Sequence, residues 1–176
     1  ALSIIANGPN TFKGRKLGIL LTDGSDAALF KALTAAIDKV GAVWEVAAPK
    51  IGGVTLDDGT NVAARHKIDG GPSVLFDAVA LLPSNDGATM LSNDAASKDF
   101  VSDAYAHCKF IGHSAAASSL FAAARLPAEL DKGFVSLDGK GSVDSFVDML
   151  GQLRFWPREV AVDMDAKPPK SPRKAK

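Results

Sequence analysis

Apolar and polar positions fall into two alternating patterns along this chain. Residues 16–22, KLGILLT, form a short run rich in branched side chains that ends in DGSD, the mark of a strand buried on both faces and feeding a helix. The following AALFKALTAAIDKV spaces Leu29, Leu33, Ile37 and Val40 by four, four and three, which predicts a helix with one apolar stripe. Ser25 or Asp26 is placed to cap it and Gly41 to end it. VWEVAAP (43–49) predicts a second strand. GGVTLDDGTNVAA predicts a hairpin around Asp57, Asp58 and Gly59. FDAVALLP (76–83) is a third buried run.

The same two patterns continue to the end of the chain. SNDGATMLSND reads as a polar loop beyond the carboxyl end of the third long strand, where open α/β sheets place ligand sites. Residues 94–107 predict a helix with Phe100, Val101 and Ala104 inward, and 108–113, CKFIGH, a fourth buried strand. SAAASSLFAAARL reads as a helix of small residues, 133–137 as a last strand, and 142–156 as a last helix with Val143, Phe146, Val147 and Leu150 inward. This alternation predicts an α/β, flavodoxin-like three-layer sandwich, a mostly parallel open sheet with helices on both faces. No internal repeat is present.

Composition adds boundaries. The chain has 176 residues and is 47% hydrophobic, enough for one core with tails. We expect an extended connector over residues 1–14, one α/β domain over 15–163 and a disordered basic tail over 164–176. From Lys167 onward KPPKSPRKAK carries five basic residues, which leaves 15 basic against 20 acidic before it. A Pro/Lys tail buries no apolar area, and a mildly acidic body disfavours nucleic acid as a partner. No apolar run approaches the roughly 20 residues of a membrane span, so no membrane partner is expected. The single cysteine, Cys108, excludes an internal disulfide, and no secretory signal is visible, so a cytoplasmic setting is the expectation. The opening ALSIIANGPN resembles a connector from a longer protein.

Candidate chemistry is sparse. TDGSDA follows the first strand, where phosphate-binding turns sit, but it has one glycine, and Asp23 and Asp26 would repel a phosphate. His66, His107 and His113 do not fall at metal-ligand spacing. His107 is placed to end a helix, and His66 lies in a polar connector. Cys108 enters at the amino end of its strand, away from the edge where a nucleophile is exposed, and reads as a buried structural thiol. KFIGHSAAASSL is a strand, a sharp turn and a helix start. That is the setting of a nucleophile elbow, yet it offers His113 and Ser114 with no orienting carboxylate nearby.

The segments TDGSDAALF, WEVAAPKIGGVTLDDGT, GGPSVLFDAVALLPS and DFVSDAYAHCKFIGHSAAA, in this order and with RFWPREV at the close, resemble the C-terminal domain of large-subunit catalases. That domain is similar to the class I glutamine amidotransferase-like superfamily. The resemblance runs from Ser3 to Asp163. Catalytic members of the superfamily carry a cysteine at the elbow and a glutamate from the first helix. Here the cysteine position falls on His113, or Gly112 in a one-residue shift, with Ser114 next, and the glutamate position falls near Leu29, so both are vacant. The resemblance therefore implies no catalytic, cofactor or metal site in this chain. Haem belongs to a separate core in the parent catalase, and Tyr105 lacks a haem-ligand context. The implied partners are that N-terminal core, neighbouring subunits of a tetramer and unfolded client proteins. The Ala-rich helix from Ser114 and the pair Phe155 and Trp156 are candidates for an exposed apolar patch. A degenerate glyoxalase-like or peptidase-like enzyme is the alternative.

Overall fold

The computed structural model describes residues 7–163. The expected connector is therefore seen from Asn7 onward, and the expected basic tail lies outside the described residues.

Six parallel strands form the main sheet. They are β1 (Lys16–Leu21), β2 (Val43–Ala48), β5 (His66–Lys67), β6 (Ala78–Leu82), β7 (Ile111–His113) and β8 (Phe134–Ser136), in the order β5-β2-β1-β6-β7-β8. A separate antiparallel pair, β3 (Val54–Thr55) and β4 (Asn61–Val62), is the hairpin expected around Asp57 to Gly59. Leu20 pairs with Leu81 and Leu21 with Leu82, which sets the central strands side by side with apolar residues on both faces. Alternate side chains divide accordingly. Leu17, Ile19 and Leu21 enter one cluster, while Leu20 enters the other, as the two-residue period of a strand requires.

The first cluster is closed by α1 (Ala27–Lys39) and α5 (Ser142–Leu150), through Phe30, Leu33, Ile37, Phe146, Val147 and Leu150. The second is closed by α2 (Asn85–Asn93), α3 (Ala95–Ala106) and α4 (Ser118–Ala123), through Leu91, Phe100, Val101, Ala104, Leu120 and Phe121. The arrangement is the expected flavodoxin-like sandwich. A short α6 (Glu159–Val162) follows a 3-10 turn at Trp156–Arg158. Among the described residues, no helix is long and apolar enough to cross a membrane.

Four local expectations shift. The buried stripe of α1 runs through Phe30, Leu33, Thr34 and Ile37, because the Phe30 ring meets Trp44 edge-on at 5.7 Å, and Leu29 lies on the flank. SNDGATMLSND is the helix α2 rather than a loop. Ser84 caps it, its side chain accepting from the Gly87 amide. α5 stops at Leu150, and Leu153 takes a left-handed backbone with φ of 67°. β7 begins at Ile111, so Cys108 stands before the strand, in a turn with φ of 54°.

Candidate functional site

β1 and β6 are neighbours, yet the chain leaves β1 toward β2 on one side and returns to β6 on the other. Their carboxyl ends are thus the topological switch point, where such sheets open a ligand crevice. Here a hollow of about 190 Å³ is lined by Thr22, Asp23, Pro49, Lys50, Gly87 and Met90, and its floor is built from short polar side chains. The Ser84 amide donates to Thr22 Oγ1 at 2.9 Å, the two hydroxyls lie 3.2 Å apart, and Ser84 Oγ donates to the Asp23 carbonyl at 2.7 Å. Gly87 lets α2 settle onto this contact, since a Cβ there would lie 2.0 Å from Thr22 Oγ1.

The first turn of α1 is spoken for as well. Asp26 Oδ1 accepts from the Leu29 amide at 2.8 Å, and Asp57 Oδ1 accepts from the Ala27 amide at 2.9 Å. Helix amides that would attract an anion are therefore occupied by the chain's own carboxylates. Asp23 accepts from the Thr55 amide at 2.9 Å, which ties the hairpin to the same loop. Ser25 closes the turn by accepting from the Thr22 amide and donating to the Thr22 carbonyl.

His113 ends β7, paired with Leu81 and Ser136. Its Nδ1 lies 3.2 Å from the Ser114 carbonyl oxygen, and its ring meets Phe121 edge-on at 5.1 Å. Burial pushes the imidazole below its ordinary pKa, against the opposing pull of the Ser114 carbonyl and Asp138. A carbonyl oxygen only accepts, so the proton of this contact sits on Nδ1, which donates it to the backbone. Ser114 Oγ is buried without a hydrogen-bond partner among the described residues, so no Ser–His pair forms. A nucleophile elbow holds its residue in a strained turn. Here the positive-φ non-glycine residues among those described are Cys108, Arg125 and Leu153, and His113 keeps strand geometry. Gly112 is buried within β7, beneath Phe146 and Leu137. Leu29 packs on the cluster of the α1 face, whereas His113 meets the α4 face. The two positions that the resemblance singles out thus meet different clusters among the described residues.

Of the other histidines, His107 is the C-cap of α3. His66 Nε2 lies 2.7 Å from Glu45, whose second oxygen accepts from Lys16. Burial alone would raise the Glu45 carboxyl, but Lys16 and His66 hold it below its ordinary pKa. Burial raises the Cys108 thiol. Among the described residues, no group of three or more His, Cys, Asp or Glu side chains converges as metal ligands do.

A buried charged cluster lies at the opposite edge of the sheet, where sequence reasoning had singled out Tyr105, Cys108, Phe155 and Trp156 but none of the charged groups, and where Phe155 and Trp156 are half-buried rather than exposed. Arg158, with a fully buried side chain, makes a fork to Asp131 at 2.7 and 2.8 Å and donates to the Lys109 carbonyl at 2.6 Å. Its guanidinium stacks on Tyr105, Phe134 and Phe155 at 4.8, 5.0 and 5.5 Å. Burial would raise the Asp131 carboxyl, but Arg158 and the Gly133 amide hold it low. Lys109 is buried beside this group and donates to the carbonyls of Ser73 and Phe76. Burial, reinforced by Arg154, pulls its ammonium down to about 8. The sequence signal was a lysine inside the apolar run CKFIGH and an arginine flanked by aromatic residues in RFWPREV.

Comparison with known proteins places these features in a family. A model described as the C-terminal domain found in long catalases matches residues 13–160. Catalase C of Rhizobium meliloti is 51% identical over 164 residues, which cover 93% of this chain and 23% of that protein. Catalase HPII of Pseudomonas putida is 30% identical over 152 residues, 86% of this chain and 20% of the relative. The chain thus spans about a quarter or less of the length of these curated relatives. Among solved structures, a DJ-1 superfamily protein of Salmonella typhimurium superposes with a TM-score of 0.66 at 21% identity, over 88% of this chain and 99% of the other. Drosophila melanogaster DJ-1beta superposes with 0.67 at 14% identity, over 85% and 95%. These likenesses concern the fold.

Proposed function

Because the chain belongs to the family of C-terminal domains found in long catalases, we propose that it serves a peroxide-dismutating haem catalase as a domain without chemistry of its own. In this role it packs on the catalase core, stabilises the tetramer and holds unfolded protein chains. The observation that carries the reading is the match over residues 13–160, joined to 51% identity with a catalase. The carboxyl edge supports it. A thiolate mechanism needs a sulfur at the elbow, whereas His113 stands there with its proton committed to a backbone carbonyl.

Residues 1–14 are the link to the preceding core in this reading, and 15–163 the folded unit. Phe12, in the link, already fills the first cluster, so the link is anchored before β1 starts. Haem belongs to the core. Tyr105, the one tyrosine, has its ring under the Arg158 guanidinium and against Phe134, which does not suit it as an axial ligand. The unpaired Cys108 suits a reducing cytoplasm.

The holding role is tested by light scattering from a heat-stressed client enzyme, with and without this chain and with an inert protein of similar size and charge as control. Suppression at near-stoichiometric ratios is expected. Scattering equal to the control would remove the holding role and leave the domain as a stabilising appendage.

A further inference from the structure

We propose that the amino-terminal edge of the six-stranded sheet is the face by which this domain docks on the catalase core preceding it in the longer polypeptide. This deepens the function proposed above and rests on it. All six strands are parallel, so their amino ends share one side of the molecule, and exposed apolar side chains concentrate there. Val43 is the first residue of β2, half exposed. Val74 and Leu75 stand out from the turn before β6, which Lys109 ties to this edge through the Ser73 carbonyl. Leu130 adjoins Asp131, the partner of Arg158. Val160, 82% exposed, lies two residues beyond Arg158 in the closing segment. The other exposed large apolar residues among those described are Ile51, three residues past the end of β2, and Met90, which lines the hollow at the carboxyl edge.

The identity of the occupant comes from where the rest of the polypeptide attaches. The connector enters β1 by this same edge. Gly8, Pro9 and Asn10 line a hollow of about 200 Å³ with Leu153 and Trp156. On its other side Trp156 lines a second hollow of about 280 Å³ with His107, Arg154 and Val162. A core tethered at residue 1 is held beside these groups at high effective concentration, so a modest apolar area suffices to dock it. The edge is also rigid, because the Arg158 fork and its three aromatic contacts fix the segment that carries Trp156 and Val160, and a fixed surface loses little entropy on binding. Several of its charges are paired within the domain, Arg15 with Asp77, Lys16 with Glu45 and Arg158 with Asp131. The apolar side chains are what a partner would cover.

The test is hydroxyl-radical footprinting of the longer haem-loaded polypeptide against this 176-residue chain at low concentration. Labelling of Val74, Leu75 and Val160 is expected to fall several-fold in the longer polypeptide, while Ile51 and Met90 label equally in both. Equal labelling of the amino-edge residues in a haem-loaded, peroxide-consuming protein would overturn the docking face and leave the catalase reading intact. A longer polypeptide without haem or turnover would overturn that reading itself. Protection that grows with the concentration of the short chain would assign the face to a second copy and overturn the proposal. As a second arm, Val160→Asp in the longer polypeptide should speed protease cleavage within residues 1–14 several-fold, with Met90→Asp as the control. Equal cleavage of the two variants would count against docking.

Discussion

The two edges of the sheet use polarity in opposite ways. At the carboxyl edge, where an open α/β sheet usually does its chemistry, Thr22, Ser84 and Asp26 are short side chains that satisfy one another and the backbone. At the amino edge, Arg158 and Lys109 are long cations driven into the interior, with carbonyls, a carboxylate and aromatic faces arranged around them. Buried charge is expensive unless fully paired. Here that expense falls on the side where the chain enters and closes, while the floor of the carboxyl-edge hollow is made of short side chains paired with one another and the backbone. That placement is what the proposed role, a domain working through its attachment, calls for.

Arg158→Ala sharpens this contrast most. It strands the Asp131 carboxylate and the Lys109 carbonyl and empties the space among three rings, so urea unfolding should show a loss of about 3 kcal/mol or more, as for a broken buried pair. Arg158→Lys should recover little, because an ammonium cannot reproduce the planar fork. A loss below about 1 kcal/mol, the scale of a surface pair, would break the comparison.

At the carboxyl edge, Gly87→Ala places a methyl 2.0 Å from Thr22 Oγ1. Helix propensity alone would favour alanine by about 1 kcal/mol, but overpacking costs typically 1–3 kcal/mol, so net destabilisation is expected. Net stabilisation would show that α2 is free to lift from the switch point.

Titrations separate the edges by pH. Lys109 falls from 10.5 to about 8 on folding, so between those values the unfolded chain holds a proton that the folded chain has shed. Its contribution to stability therefore rises with pH across that window, and Lys109→Met should remove the rise. Burial pushes His113 below its ordinary 6.5. As pH falls from 6.5 toward the folded value, the unfolded chain binds the proton first and stability declines. His113→Gln should remove that decline. Denaturation series at several pH values check both, and a wild-type curve unchanged by either substitution would contradict the placements.

Sequence pattern carried most of the fold. KLGILLT and FDAVALLP were readable as β1 and β6 because strands buried on both faces are continuous apolar runs. The hairpin was readable because Asp57, Asp58 and Gly59 interrupt two short alternations. The helix α2 was not. It buries only Gly87, Ala88 and Leu91, too few to leave a stripe, and its one strong signal was Ser84 as a cap with Asp86 in the first turn. At the candidate site, the positions of His113 and Leu29 followed from the resemblance. That their side chains meet different clusters depends on tertiary packing, and that Thr22 and Ser84 join at the floor of the hollow depends on pairing between residues 62 apart. No local pattern records such a contact. The fork between Arg158 and Asp131 went unread for the same reason.

The central claim is that this domain supports a catalase without joining its chemistry. The most direct measurement compares the full-length catalase with a form truncated before residue 1, reading haem content, initial peroxide turnover per haem and half-life on heating. The account predicts equal haem content and equal initial turnover, with a markedly shorter half-life and a weakened tetramer in the truncated form. Lost turnover at full haem content, or an unchanged half-life, would contradict it.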